Sequence, residues 1–255
     1  MLKKRLIGVV TVRAGWAVQS FGYRRWLPLG RPEVLVENLD RWGVDEILLQ
    51  CIDRSAAGNG PDLALLERIG RVGLSTPLIY AGGIATVEQA NAVVHAAADR
   101  VVVDSLLHDA PEHVAAISSH LGAQAVIGAL PLAAGPAGLA WLDHRRRTST
   151  PLSTAALSPF ERGVVSEALV IDWRHEGQPG GFDEALIRDF PLPAVPLIAF
   201  GGLSDADQHR HLLANPRVVA TAVGNFLSYR EHAAQSLKAA LGGLPLRAPA
   251  YADAS

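Results

Sequence analysis

Two glycine pairs, Gly82-Gly83 and Gly201-Gly202, sit in near-copies of one another, PLIYAGGI from residue 77 and PLIAFGGL from residue 196. Glycine lets backbone N–H groups close on an anion, so each pair is a candidate phosphate cradle; it is also what a tight strand-to-helix turn requires. Repetition at equivalent places favours the cradle. Asp104-Ser105 and Gly224-Asn225 end two further apolar runs in the same manner. Asp53, Asp172, His175 and Glu176 end or follow the runs near 46 and 167, which makes them the candidates for acid and base work if a reaction occurs there, Asp53, Asp172 and Glu176 foremost. Arg145, Arg146 and Arg147 could meet an anionic substrate or simply water. Trp16 and Trp26 could stack on a sugar or base, or pack a long loop against the body of the protein.

Other chemistries find little support. His209 and His211 lie two apart on a predicted helix and so point to different sides, and no cysteine pair or HExxH segment accompanies them, so no metal is expected. Cys51 has no activating neighbour and reads as a buried small residue. No Rossmann or Walker glycine fingerprint occurs, and no cofactor is expected.

The elements that must carry these residues are legible as short runs rich in Val, Ile and Leu, the pattern of strands buried on both faces. They cover 6–12, 46–52, 77–83, 100–105, 123–130, 167–173, 196–202 and 218–225. Helical spacing predicts helices over 32–43, 61–73, 86–97, 111–121, 154–163, 183–189, 204–214 and 229–241. Alternation of this kind predicts an α/β fold, a single (β/α)8 TIM barrel, with a doubly wound open sheet as the competitor. The repeat of the glycine-pair segment after about 120 residues points to two related half-barrels within one domain, 1–241, followed by a small, Pro-containing loose tail, 242–255.

The chain has 255 residues, 49% of them apolar, and a formal net charge of −2. This excludes a disordered chain and a protein that grips nucleic acid through global charge. One cysteine excludes a disulfide scaffold and suits a reducing cytoplasm. The basic start, MLKKRLIGVVTV, ends at Arg13 too early for a signal peptide, and no run of 18 apolar residues occurs, so no membrane contact is expected.

MLKKRLIG, GVDEILLQCID, PLIYAGGIATVEQA, the later IAFGG and NFLSYRE together resemble the cyclase subunit of imidazole glycerol phosphate synthase, from residue 1 to about 241. The resemblance implies a (β/α)8 barrel for a substrate with a phosphate at each end. It also implies a glutaminase docked beneath the barrel, whose ammonia passes through the centre to the mouth. The family's general acid and base are aspartates at the ends of the first and fifth strands, where this chain carries Thr11 and Pro131. Neither residue type can do that work. The loop lysine of the family falls on Gln19, the second-strand aspartate on Cys51, and the aspartate after the sixth strand on Glu176.

The opposite end of the barrel keeps the family pattern. The charged ring that the family places at the tunnel entrance falls on Arg5, Glu46, Arg100 and Glu167, with Asp99 and Gln124 matching nearby. Two cations and two anions there could gate neutral ammonia, or simply plug the barrel as a structural cluster. The resemblance therefore implies a diverged paralogue that binds a glutaminase at the N-terminal face and conducts ammonia for an amidation. One such group accompanies sugar amidation in surface-polysaccharide synthesis and works with a separate sugar amidotransferase; Gly60-Pro61-Asp62 is similar to that group. The alternatives are an active cyclase or lyase on a phosphoribosyl substrate with relocated acid and base groups, and a non-catalytic barrel that binds a phosphorylated small molecule.

Overall fold

The computed structural model describes residues 3–228 and 232–246. In chain order, β1 (Arg5–Arg13) leads into β2 (Trp16–Phe21) and β3 (Arg25–Gly30), then α1 (Pro32–Arg41), β4 (Glu46–Cys51), α2 (Arg54–Ala57) and α3 (Leu63–Gly70). β5 (Leu78–Ala81), α4 (Val87–Ala96), β6 (Arg100–Val103), α5 (Leu106–Asp109) and α6 (Pro111–Leu121) follow. The second half runs β7 (Val126–Gly135), β8 (Gly138–Asp143), β9 (Thr148–Pro151), α7 (Thr154–Glu161), β10 (Glu167–Asp172), α8 (Ala185–Arg188), β11 (Leu197–Phe200), α9 (Ala206–Ala214), β12 (Val218–Val223) and α10 (Ala233–Ala240).

Eight strands, β1, β4, β5, β6, β7, β10, β11 and β12, pair in parallel in that order, and pairing of β12 with β1 closes the barrel. Each expected strand is present. Closure leaves no open edge among the eight, which rules out the doubly wound sheet. Helices cover the outside, several with a polar cap: Asp62 accepts from Leu65 N, Thr86 from Gln89 N, and Asp205 from Asp207 N and Gln208 N. Contact between layers is close at Gly128, where a Cβ would collide with the Phe160 ring of α7.

Two segments differ from the sequence expectation. The stretch after β1, read as a long loop, is the antiparallel hairpin β2–β3, and the stretch after β7 is a second one, β8–β9. β7 accordingly starts later than the expected 123 and runs on to Gly135, because its end pairs with β8. Residues 123–125 form a 3-10 turn instead. The expected helix over 183–189 shortens to one turn, α8, and the last begins at Ala233, residues 229–231 lying outside the described residues. Of the segment after 241, residues 242–246 return to the barrel, where Lys4 N donates to the Pro245 carbonyl oxygen at 2.9 Å. The remainder of the expected tail, 247–255, lies outside the described residues.

Candidate functional site

Side chains alternate along a strand, and the buried residues sort accordingly into two clusters. One is the barrel interior, with Ile7, Val9, Leu48, Val102, Ile127, Leu169, Ile198 and Ala220 among its members. The other fills the space between strands and helices and includes Leu6, Val10, Cys51 and Val170. Extending the inward parity downward from Ile7, Leu48, Val102 and Leu169 reaches Arg5, Glu46, Arg100 and Glu167. Extending it upward reaches Thr11, Gln50, Asp104, Pro131 and Trp173.

The four floor residues meet. Arg5 contacts Glu46 at 3.1 Å and Glu167 at 2.5 Å; Arg100 contacts Glu167 at 2.8 Å and Glu46 at 3.5 Å. The result is a closed ring of alternating charge, largely out of water. Burial pushes the Glu46 carboxyl above its usual range, and Glu167 adds to this, against the opposing pull of Arg5 and Arg100. Arg100 is held further by the Ser166 hydroxyl at 3.0 Å and the Gln124 carbonyl at 3.0 Å. Asp99 accepts from Leu78 N at 2.8 Å, an ordinary strand-end contact.

At the opposite end, the strand termini and both hairpins enclose a cavity of about 500 Å³. Asp53, Gly82, Gly83, Asp104, Ser105 and Pro131 all line it. Arg13, Arg24 and Trp26 enter from the first hairpin and its strand, His144, Arg145 and Arg147 from the second, and Trp173 from the end of β10. The Arg13 guanidinium lies 4.2 Å from the Trp26 ring centroid. Arg145 is committed to Asp109 at 2.5 Å and Asp143 at 3.2 Å, and Arg146, largely exposed, lies 3.5 Å from Asp143. Trp16 is exposed.

Asp172 and Glu176 are not among the groups the structure brings to this cavity. Asp172, one position out of the inward parity, is buried; its carboxylate accepts from His175 N at 3.2 Å, His175 Nδ1 at 2.7 Å and Asp183 N at 2.8 Å. Glu176 accepts from the Ser20 hydroxyl at 2.9 Å and Tyr23 N at 3.2 Å, so it pins the first hairpin; burial raises its carboxyl above the usual range despite these bonds. Thr11, Gly224 and Asn225 line a separate narrow cleft, and the Asn225 side chain is occupied by the backbone of Ser20. Asp53 Oδ2 accepts from Ala14 N at 2.8 Å.

The glycine pairs have a steric reason that needs no ligand. A Cβ on Gly82 would collide with the Cys51 carbonyl oxygen, and one on Gly201 with that of Asp172, each glycine standing at positive φ against the next strand end. The Gly83 N–H is already donated to Ser55 Oγ at 3.0 Å. Cys51 is buried and its thiol is pushed up to about 12, chiefly by burial, so it is no nucleophile. Among the described residues no group of three metal-ligating side chains converges, and no helix is long and apolar enough to cross a membrane.

The sequence model of the histidine biosynthesis protein family matches residues 5–233. The chain belongs to that family. Among its relatives, the imidazole glycerol phosphate synthase subunit HisF of Xanthomonas axonopodis pv. citri is 31% identical over 214 residues, 80% of this chain and 82% of the relative. A protein of Vibrio vulnificus named as subunit hisF2 is 26% identical over 243 residues, 94% of this chain and 88% of that one. A Leptospira interrogans protein named as a HisF subunit is 26% identical over 235 residues.

Membership in the histidine biosynthesis family accounts for the barrel; the mouth holds groups that sequence reasoning did not single out. His144 Nδ1 lies 3.1 Å from Asp104 Oδ2, and both side chains line the cavity. The segment WLDHRRRT drew attention for its arginines alone, and the histidine before them was the available signal. Arg13 and Arg24 were equally visible as charges in an otherwise aromatic and small-residue segment, but only the hairpin aims them at the mouth.

Proposed function

We propose that this chain is a diverged relative of the cyclase subunit that docks a glutaminase on the N-terminal face of its barrel and passes ammonia through the floor toward the mouth. The observation that carries this reading is the closed ring of Arg5, Glu46, Arg100 and Glu167 beneath an interior of apolar side chains. Its formal charges cancel, so parting the pairs exposes no net field to a small neutral molecule. The apolar interior above disfavours ammonium, which would leave its hydration shell at a cost of several kcal/mol. Arg100, tied to Ser166 and the Gln124 backbone, connects this ring to the face on which the glutaminase would sit. The inward positions Thr11 and Pro131 offer no titratable side chain, in keeping with ammonia delivered for an amidation other than the cyclase reaction.

On this reading the mouth receives a phosphorylated small molecule. Gly82, Gly83 and Ser105, which line the cavity, would serve its phosphate; Gly201, Gly202, Gly224 and Asn225, expected for a second, are not among the cavity-lining residues, and the Asn225 side chain is taken by the backbone of Ser20. A sugar amidotransferase is the further partner this role implies. The test is glutaminase activity measured with and without the chain: a cognate glutaminase is expected to form a complex and to be stimulated. No complex and no stimulation with any cognate glutaminase overturns the proposal. Recovery of a glutaminase together with a sugar amidotransferase, using this chain as bait in its native host, is the expected result for the partners.

A further inference from the structure

Two aspartate–histidine pairs stand at strand ends, and they differ in how the carboxylate is compensated. Asp172 receives the backbone N–H groups of His175 and Asp183 besides the His175 ring, and His175 is not among the residues of the mouth cavity. This pair fastens the segment after β10. Asp104 has one partner only: Oδ2 faces His144 Nδ1 at 3.1 Å, while Oδ1 is buried with no hydrogen bond among the described residues. Asp104 thus has His144 as its charged partner at the rim, in side chains 27% and 25% exposed.

The surroundings of His144 point the same way. Burial lowers its basicity, but the hydrogen bond and charge of Asp104 outweigh this and raise it overall. The other charged and titratable groups near it are Asp143 and Arg145 of its own hairpin and, on α5, Asp109, which Arg145 holds, and His108, stacked on Trp141 and made less basic by burial. The imidazole lines the cavity, and its Nε2 has no partner among the described residues. Arg13, Arg24 and Arg147 line the same cavity with no carboxylate partner among the described residues. Tyr23 and Arg147, one from each hairpin, hold positive φ angles of 53° and 55° on that wall, a conformation that favours glycine.

We propose that Asp104 and His144 are a proton-transfer pair acting on a small phosphorylated carbonyl compound clamped by Arg13, Arg24 and Arg147. This goes beyond ammonia delivery and does not depend on it. In the step, His144 Nε2 takes the proton from the carbon beside the carbonyl, and the C–H electron pair moves into the enolate. The Nδ1–H stays on the imidazole, donated to Asp104, whose charge offsets the imidazolium. Guanidinium N–H groups around the cavity are the donors for the enolate oxygen. Return of a proton from the imidazolium regenerates the carbonyl compound, so no other reactant is consumed.

The experiment follows ribulose 5-phosphate in D2O by proton NMR, using the full chain. Exchange of the carbon-bound protons beside the carbonyl is expected well above the buffer rate. It should fall about a hundredfold or more in His144→Gln, within the range general-base catalysis supplies. Asp104→Asn should lower the rate and move the inflection of its pH profile to lower pH, a shift that a merely structural role would not produce. His113→Gln, on the exposed side of α6, should leave exchange unchanged. Binding is read independently from the imidazole resonance of His144. An unmoved resonance, binding without exchange, or exchange unaffected by His144→Gln overturns the proposal, and stimulation of a glutaminase is a separate readout that stands or falls without it.

Discussion

At the scale of single residues, the floor ring shows how four ordinary ion pairs become interdependent. Glu167 accepts from both arginines at 2.5 and 2.8 Å, and its side chain is 13% exposed. Glu167→Gln keeps the shape but leaves two cations sharing the one remaining anion, Glu46. Breaking a buried pair from one side costs about 3–5 kcal/mol, and the partial exposure and surviving contacts reduce this to about 1–3 kcal/mol here. The midpoint of urea denaturation should fall accordingly. The double replacement Arg5→Met, Glu167→Gln should cost less than the sum of the single ones, because the pair is removed together.

Among the elements, α9 is locked to β12 through one histidine. His209 is buried, and its Nδ1 lies 2.8 Å from the Thr221 hydroxyl. Burial lowers its pKa from 6.5 to about 4, only weakly opposed by Asp205. A histidine held neutral in this way stabilises the fold above its unfolded value, and that contribution is lost as the pH falls from about 6.5 to about 4. The melting temperature should therefore drop across this window, and the His209→Gln protein should show a shallower dependence. The hairpins are the other decisive elements. β2–β3 is pinned by Glu176 and Asn225, and β8–β9 carries His144 over the end of β6. Together they add Trp26 and His144, among others, to the lining of the mouth cavity.

For the whole molecule, the last described helix closes the ring back to its start. Lys238 of α10 meets Asp45 at 2.7 Å with both side chains buried, and Asp45 also accepts from Leu6 N at 2.7 Å. One buried pair thus joins the C-terminal helix, the entry to β4 and the first strand. Lys238→Met strands a buried carboxylate and should destabilise the protein by about 3–5 kcal/mol. Adding Asp45→Asn should recover part of that loss in a denaturation experiment. Closure of this kind rests on contacts far apart in sequence, so a slow cooperative transition is what the architecture favours.

By itself the sequence determined the count and order of the parallel strands, because each is a short apolar run set between helical spacings; it marked the glycine pairs but favoured an anion cradle, whereas their steric need against the next strand end is visible only in the fold. Its resemblance to the cyclase-subunit family marked Arg5, Glu46, Arg100 and Glu167 as a set. Tertiary structure decided the rest. Strands buried on both faces carry no polar alternation, so nothing in IDWRHE says that Trp173 turns inward while Asp172 turns out; that parity is set by closure of the barrel. The hairpins were hidden for a related reason: β3 and β9 are mostly exposed and lack the apolar runs that mark a strand. The pairing of Asp104 with His144 joins residues forty positions apart through such a hairpin, and only a folded rim brings them within hydrogen-bonding distance.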